Sequence, residues 1–342
     1  MQSTRPDYPW LSTLGFTPFA LAHTPTPLQP LERLSRELGG PNIWVKRDDC
    51  TGLGGGGNKT RKLEYLVGEA LQQGADTVIT FGAVQSNHAR QTAAACAKAG
   101  LACHQVLAQR VPVHDDNYET GGNVLLSHLA GAKSYLMPPE EVADFTRALR
   151  TRLTDEGAHV YMVPAGGSSA TGVLGYAECA GELVNQCAAA GITPGCVVHA
   201  SASAGTQAGL IYGFGALSSA TRVLGINVFH PNPQTLEERV ADLLTATEEK
   251  FGGLSERPAI ETNHAYFGEG YGIPTTEACE AINWVASMEG LYFDPVYSGK
   301  ALAGLLDQIN VGAFRDWEDV VFIHTGGAPS LHVYEDLLNS HL

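Results

Sequence analysis

The sequence predicts an α/β protein with parallel, twisted sheets and two domains. Short apolar runs alternate with longer helical patterns along most of the 342 residues, which is typical of strands joined by crossover helices. Most of the short runs are apolar at every position, as expected for strands that helices cover on both faces. The length also favours two domains, because a domain commonly has ~150 residues.

Eight strands are predicted from runs of β-forming residues that turns or helical patterns bound. The run Thr-Val-Ile-Thr-Phe at 77–81 shows the pattern, since all five residues are of types enriched in strands. In chain order, the predicted strands are 42–46, 77–81, 102–106, 134–137, 160–163, 196–200, 222–226 and 320–324.

Ten helices are predicted from apolar residues that recur three or four positions apart. In 59–73, the residues Leu63, Leu66, Val67 and Leu71 follow this spacing and form one apolar face. In chain order, the predicted helices are 59–73, 87–99, 117–129, 139–155, 172–190, 205–213, 235–251, 276–289, 299–309 and 330–338.

The block 63–164 contains a four-strand alternation of its own. The chain has no Pro/Ser-rich linker that would divide it cleanly, and it shows no internal repeat. We therefore predict a small α/β domain at 63–164, inserted into a larger, cofactor-binding domain formed by 1–62 and 165–342.

Composition and charge exclude several classes of protein. Hydrophobic residues make up 44% of the chain and charged residues 17%, which excludes an intrinsically disordered protein. No apolar stretch approaches the ~18 to 20 residues of a membrane span, and the N-terminal segment lacks the features of a secretory signal. We therefore expect a soluble, cytoplasmic protein without a membrane partner. A formal charge of -15 also disfavours binding to nucleic acid.

The cysteines and histidines indicate neither a disulfide framework nor a metal site. The seven cysteines are odd in number, scattered, and free of a C-x-x-C pair. We expect free thiols in the core, and we interpret Cys50 as a packing residue. The 12 histidines show no metal-ligand spacing, and His88 is interpreted as a structural histidine just after a capping turn.

A glycine-rich loop, Gly54–Gly57, follows the strand at 42–46 and precedes a helix that begins at Lys59. A flexible connection would explain the glycines alone. A lysine in the first helical turn has its pKa lowered by the helix dipole, and the neutral amine is the form that makes a Schiff base. Lys59 is thus a candidate reactive lysine, although a solvated first-turn lysine is the simpler interpretation of that position.

A second loop of small residues, 201–209, lies between the strand at 196–200 and a helix. Backbone N–H groups in such a loop can converge on a phosphate at the helix N-terminus. The loop has neither the P-loop ending nor the dinucleotide fingerprint, so the phosphate of another ligand fits better. A close helix–strand contact would also favour small residues.

Six motifs taken together resemble the pyridoxal-phosphate enzymes that include 1-aminocyclopropane-1-carboxylate (ACC) deaminase, D-cysteine desulfhydrase and L-cysteate sulfo-lyase. They lie in the family's order and span residues 25–335. The motifs are 46–64, 82–91, 203–209, 268–274, 294–300 and 324–328. The resemblance implies a two-domain, tryptophan-synthase-β-like fold (fold type II) with pyridoxal 5'-phosphate in the cleft, a small amino-acid substrate, and a homodimer.

The resemblance also assigns roles to individual residues. The lysine that binds the cofactor covalently matches Lys59 and not Lys62. Ser86 and Asn87 match the turn against the cofactor ring, where the amide contacts the ring hydroxyl and the serine contacts the substrate carboxylate. A helix N-cap is an alternative role for these two residues, and both roles are compatible.

Further matches complete the predicted site. Tyr271 and Tyr297 match two active-site tyrosines that hold or transfer protons, and Thr325 matches the residue at the pyridine nitrogen. The predicted phosphate loop consists of Ser203, Ala204, Gly205 and Thr206.

Two positions bear on which reaction is catalysed. The deaminase has a glutamate and a leucine where this chain has Ser298 and Thr325. A hydroxyl at the pyridine nitrogen leaves the ring largely neutral and favours prompt loss of a β-leaving group. We therefore expect α,β-elimination from a cysteine-like amino acid, with ACC deamination and a non-catalytic cofactor-binding protein as weaker hypotheses.

The leading predicted substrate is L-cysteate, which would lose sulfite, and the alternative is D-cysteine, which would lose sulfide. The choice follows from segments such as 207–211 and from Ser86, Asn87, Ser168 and Ser169, which we expect to supply donors for a sulfonate. Departures from the family pattern occur at Ala202, at Gly121 and in the four-glycine run 54–57.

Overall fold

A computed structural model describes Tyr8 and residues 14–113, 116–315 and 319–340. Most of the N-terminal segment on which the predicted cytoplasmic location rests, and part of the predicted large domain, lie outside the described residues. Within the part that is described, the chain forms two sheets with helices packed on both faces, which confirms the predicted α/β class.

The larger sheet has six strands in the order β1-β2-β10-β7-β8-β9. Strand β1 pairs with β2 antiparallel, and every other neighbouring pair is parallel. The strands are β1 (Leu28–Pro30), β2 (Asn42–Lys46), β7 (Pro194–Ser201), β8 (Arg222–Asn227), β9 (Glu261–Asn263) and β10 (Asp319–Ile323).

The smaller sheet has four parallel strands in the order β5-β4-β3-β6. They are β3 (Thr77–Ala83), β4 (Ala102–Ala108), β5 (Lys133–Met137) and β6 (Val160–Val163). All four lie in the block 63–164, but its first boundary falls inside the helix Lys59–Gln72. The division of the chain into domains stays a prediction.

Twelve α-helices connect or cover the strands of the described chain. They are α1 (Glu32–Leu38), α2 (Lys59–Gln72), α3 (Asn87–Ala99), α4 (Asp116–Thr120), α5 (Gly122–Leu129), α6 (Val142–Asp155), α7 (Ala170–Ala190), α8 (Gly205–Ala216), α9 (Pro233–Phe251), α10 (Thr276–Glu289), α11 (Ser298–Asn310) and α12 (Glu335–Asn339). Short 3-10 turns occur at Asp48–Cys50, Leu53–Gly55, Ala165–Gly167 and Ala328–Tyr334.

All eight predicted strands are present, but several helical predictions need correction. The segment 117–129 forms two helices, because Gly122 has a φ of 52°, in the left-handed region. The segment 330–338 begins as a 3-10 turn. Strands β1 and β9 and helix α1 were not predicted, since elements of three to seven residues carry too little periodicity.

Helices α7 and α8 pack together against one face of the larger sheet and form its main core with apolar residues of α9. Helices α10 and α11 cover the other face through residues such as Ile282 and Leu302. The core holds six buried free thiols, whereas Cys50 is exposed, so its interpretation as a packing residue is wrong. None of the described helices is long and apolar enough to cross a membrane.

Candidate active site

A cavity of about 480 Å³ lies between the two sheets. Its lining segments follow the carboxyl ends of β3, β4, β6, β7, β8 and β10, which is where ligands bind in open α/β sheets. Nine of the ten predicted site residues line it, and the tenth, Gly205, begins the adjoining helix α8. The predicted site residues therefore come together in one place, although their roles stay predictions.

Lys59 is the first residue of α2, and its ammonium group donates to Asn58 Oδ1 at 3.1 Å. Burial lowers the pKa of Lys59 to about 8, against the opposing charge of Asp294. Asn58 in turn donates from Nδ2 to Thr206 Oγ1 at 3.2 Å, and its backbone N–H donates to the carbonyl of Thr325. Asn58 therefore connects the lysine to two other parts of the site.

The glycine loop before Lys59 is held from α3. Arg90 is almost fully buried and donates to the carbonyls of Gly54 and Gly56 and to Asn123 Oδ1. A Cβ at Gly56 would lie 1.9 Å from the carbonyl oxygen of Asp49. The loop is therefore an ordered, close-packed structure, and the flexible-connection alternative does not describe it.

The turn at the start of α3 presents two predicted site residues to the cavity. Ser86 is the N-cap, and its Oγ accepts from the N–H of Ala89 at 3.1 Å. Asn87 Oδ1 accepts from Arg90 at 3.2 Å. The capping role is present, and both side chains also line the cavity.

His88 packs as a structural histidine. Thr80 Oγ1 donates to the carbonyl of Val163 at 3.0 Å, so it accepts from Nε2 of His88 at 2.8 Å. Burial, followed by the charges of Lys59 and Lys62, lowers the pKa of His88 to about 3. The ring is therefore neutral at ordinary pH.

The small-residue loop forms a concave N-terminus for α8. Ala204, the N-cap, has a φ of 68°, a left-handed conformation that is rare for a residue with a side chain, and no side chain caps the helix. Ser203 Oγ accepts from Ser168 Oγ at 2.8 Å. Buried Lys62 lies close by, with Nζ 3.0 Å from where a Cβ of Gly205 would be. The backbone turn, the hydroxyls and the amine of Lys62 offer donors that together suit an anion.

The two predicted tyrosines lie on another wall of the cavity. Tyr271 packs edge-on against Phe229, with ring centroids 4.9 Å apart. Its loop is held by Lys300, which donates to the carbonyls of Phe267 and Gly270. Burial raises the pKa of Tyr271, and likewise that of Tyr297, so both phenols stay protonated at neutral pH.

Asp294 shapes the turn that carries Tyr297. Its carboxylate accepts from the N–H groups of Val296, Tyr297 and Ser298. Ser298 Oγ also donates to this carboxylate, at 2.5 Å. Ser298 is fully buried and does not line the cavity, whereas Thr325 does. Of the two positions that distinguish the deaminase, only Thr325 faces the cavity.

The site fits pyridoxal phosphate. The start of α8 suits the phosphate, and Lys59 offers an amine with a lowered pKa. Thr325 Oγ1 is buried and has no hydrogen-bond partner among the described residues, and a buried polar atom of this kind is normally satisfied by some partner. A ring nitrogen is a suitable one.

Sequence reasoning missed several residues that organise the site. Asn58, Arg90 and Asp294 act through hydrogen bonds to the predicted residues, and Lys62 lies beside the phosphate loop. Their motifs were recognised, but a role for each depends on contacts between distant segments. A lysine at a helix start, such as Lys59, can be found in the sequence. Lys62 lies about one turn later in α2, where its position in the sequence does not show that it is buried beside the phosphate loop.

Comparison with known proteins agrees with this geometry. Residues 19–326 match the family model described as pyridoxal-phosphate dependent enzyme. The chain is 43% identical over 325 residues to D-cysteine desulfhydrase of Serratia proteamaculans, covering 92% of this chain and 94% of that protein. It is 44% identical over 317 residues to D-cysteine desulfhydrase of Yersinia enterocolitica, covering 90% and 93%.

A solved structure is similar over nearly the whole chain. The crystal structure of an ACC deaminase homologue superposes with a TM-score of 0.87 at 37% identity, covering 97% of this chain and 99% of that chain. The fold and the predicted cofactor are thereby confirmed. The chain belongs to the family of pyridoxal-phosphate dependent enzymes that includes D-cysteine desulfhydrase and ACC deaminase.

Proposed function

We propose that the protein is a carbon–sulfur lyase that converts D-cysteine and water to pyruvate, ammonia and hydrogen sulfide. The extended similarity to D-cysteine desulfhydrases supports this substrate over L-cysteate, which the sequence had favoured. The observation that carries the proposal is the convergence of Lys59, Tyr271 and Tyr297 on one cavity beside the start of α3.

Lys59 is the proton acceptor at the α-carbon in this proposal. A lysine with a pKa of about 8 has a substantial neutral fraction near neutral pH, unlike an exposed lysine, whose pKa is near 10.4. Asn58 orients the amine by accepting its hydrogen bond. When bound, pyridoxal phosphate supplies the electron sink for the pair of electrons left at the α-carbon.

Other residues bind and orient. Ser203, Ala204, Gly205 and Thr206 would hold the phosphate at the start of α8, and the amine of Lys62 lies nearby. Ser86 and Asn87 receive the substrate carboxylate and the cofactor ring, and Thr325 contacts the ring nitrogen. The helix starts supply N–H donors and favourable dipoles for both anionic groups.

Tyr271 and Tyr297 are proposed to hold protons near the sulfur substituent. Both phenols are protonated because burial raises their pKa values, with Asp294 adding its negative charge at each. A protonated phenol can donate a hydrogen bond to sulfur as the Cβ–S bond breaks.

The structure also bears on the other candidate substrates. Ser168 and Ser169, expected to help bind a sulfonate, form other contacts: Ser168 donates to Ser203, and Ser169 caps α7. For ACC, Thr325 faces the cavity where the deaminase has a leucine. The contacts of Ser168 and Ser169 therefore do not favour L-cysteate over D-cysteine, and Thr325 does not favour ACC over D-cysteine.

The test is a substrate panel of D-cysteine, L-cysteine, L-cysteate, D-serine and ACC, scored for keto acid, sulfide and sulfite. We expect sulfide and pyruvate from D-cysteine at the highest kcat/KM, and none from Lys59→Ala. A preference of about tenfold for L-cysteate, equal to about 1.4 kcal/mol of transition-state discrimination, would overturn the proposed substrate. Rapid 2-oxobutyrate formation from ACC would support the deaminase.

We further propose that the enzyme is a homodimer, as the family resemblance implies, and that it is cytoplasmic, as the features of its N-terminal segment led us to expect. Analytical ultracentrifugation of the holoenzyme tests the dimer. Sedimentation as a monomer at micromolar concentration would contradict it.

A further inference from the structure

The described residues that line the active-site cavity include basic side chains but no carboxylates. Among the described residues that line it there is no aspartate or glutamate, although the chain has 36 of them against 21 lysines and arginines. Lys59, Arg110 and Arg239 do line it. A cavity with this composition is complementary to negatively charged ligands.

Arg110 and Arg239 line the cavity and are both exposed, so they lie at its mouth. Arg110 follows β4 of the smaller sheet, and Arg239 lies on α9 against the larger one. Both are exposed, and neither guanidinium group forms a hydrogen bond or ion pair with another described residue. Each therefore has its donors available to a ligand.

Tyr271, Phe229 and His230 form an aromatic wall of the cavity. The charge of Arg110 acts on the phenol of Tyr271, and the charge of Arg239 acts on the ring of His230. Phe229 contacts both rings, with centroid distances of 4.9 Å to Tyr271 and 4.9 Å to His230. The arginines thus flank the wall that carries one of the proposed proton-holding tyrosines.

The other anionic groups already have partners. The phosphate has the start of α8 and Lys62, and the substrate carboxylate has the start of α3 with Ser86 and Asn87. The amino group of the substrate is expected to lie on the side of Lys59. The substituent on the β-carbon is then the group that can face Tyr271 and the mouth of the cavity.

We infer that Arg110 and Arg239 form a subsite for a negatively charged sulfur substituent, and that the enzyme therefore also releases sulfite from D-cysteate. This inference rests on the proposed elimination function. The subsite receives the thiolate form of cysteine as well, and a sulfonate carries the same charge at every physiological pH. Guanidinium groups suit the planar or tetrahedral oxygen sets of such anions.

The reaction balances without an oxidant or reductant. The α-proton goes to Lys59, and the electrons of the Cα–H bond form the Cα–Cβ double bond. The Cβ–S bond breaks, and sulfur leaves with its electron pair as sulfite. Hydrolysis of the unsaturated amino acid consumes one water and yields pyruvate and ammonia.

The turnover experiment compares D-cysteate with D-cysteine in the holoenzyme and in Arg110→Gln, Arg239→Gln and the double variant. We expect wild-type sulfite release, and a loss of kcat/KM in the double variant at least about tenfold larger for D-cysteate than for D-cysteine. Arg150→Gln is the matched control, because Arg150 is exposed on α6 and does not line the cavity. It changes the net charge by as much as each single variant does and should preserve both activities.

A binding measurement separates this inference from the proposed function. Calorimetry with 3-sulfopropanoate, which has no amino group and does not react, should give a Kd at least about tenfold higher in the double variant than in wild type. Propanoate, which lacks the sulfonate, should show no such difference. Equal 3-sulfopropanoate affinity in the two proteins, or no sulfite from D-cysteate, would overturn the inference. Arginine-dependent binding and sulfite release from D-cysteate, without sulfide release from D-cysteine, would instead overturn the proposed function alone.

Discussion

At the scale of single residues, the environment of Lys59 decides its chemistry. Burial lowers the pKa of the amine to about 8, while the charge of Asp294 limits the shift. Lys62 lies three residues later, and burial, followed by the charge of Lys59, holds its pKa well below the usual value. The two lysines differ in their surroundings, since Lys59 lines the cavity and Lys62 is enclosed beneath the phosphate loop.

Borohydride reduction of the holoenzyme should therefore attach the pyridoxyl group to Lys59. Peptide mapping by mass spectrometry identifies the labelled lysine. Lys59→Arg should abolish both the labelling and the yellow colour of the holoenzyme. Circular dichroism should show that the variant remains folded. Labelling at Lys62 would contradict the assignment.

Thr325 and Ser298 should respond differently to substitution. Thr325→Val should change the cofactor absorbance and lower kcat at little cost in stability, because Oγ1 has no protein partner to lose. Ser298→Glu should lower the free energy of unfolding by about 3–5 kcal/mol, since it buries a second carboxylate against Asp294.

Urea denaturation and absorbance spectra measure both effects. Ser298→Ala is the control, with an expected loss of about 1 kcal/mol for the hydrogen bond alone. A stable Ser298→Glu variant that deaminates ACC would show that this buried position does control the reaction.

At the scale of elements, loop conformation brings the start of α2 to the cavity. The glycine loop passes over Arg90 of α3 and returns Lys59 to the site, and the 48–50 turn leaves no space beside Gly56. At Gly56 these contacts leave no room for a side chain, whereas a Cβ at Gly55 would meet no close atom.

Gly56→Ala should destabilise the protein more than Gly55→Ala. Both residues have positive φ, 77° and 89°, so each alanine incurs a left-handed cost of about 1–2 kcal/mol. At Gly56 the added Cβ would also meet the Asp49 carbonyl at 1.9 Å, whereas the nearest atom at Gly55 is 3.7 Å away. We expect a total loss of about 3 kcal/mol or more for Gly56→Ala, measured by urea denaturation. Equal losses in the two variants would contradict the close approach.

At the scale of the whole molecule, buried neutral histidines link stability to pH. Burial lowers the pKa of His88 to about 3, and those of His199 and His324 to about 4. In the unfolded chain each titrates near the usual value of about 6.5. Between these limits the unfolded state binds more protons than the folded state, so stability rises with pH and is lost as pH falls.

The free energy of unfolding should therefore decrease as pH falls from about 7 to about 5, by up to about 1.4 kcal/mol per pH unit for each histidine. Asp294, whose pKa burial raises to about 6, acts in the opposite direction, but it is one group against three. Urea titrations at three pH values measure the slope. His88→Gln should reduce it, and a slope of zero in the wild type would contradict the prediction.

The fold class, eight of the ten described strands and the family could be predicted from the sequence. Parallel strands buried on both faces are apolar along their length, so segments such as 42–46 and 160–163 carry their structure locally, and the observed strands have the predicted bounds. The start of α3 at Asn87 was likewise predictable, because capping residues mark a helix start within a few positions.

Which side chains share the cavity depends on tertiary contacts. Ser298 is buried and does not line the cavity, Asn58 and Arg90 organise it, and Arg110 and Arg239 line it from distant parts of the chain. Periodicity and capping report the surroundings of a residue within a turn or two along the chain. The proton affinity of Lys59 and the charge of the cavity depend instead on segments more than a hundred residues apart, which only folding brings together.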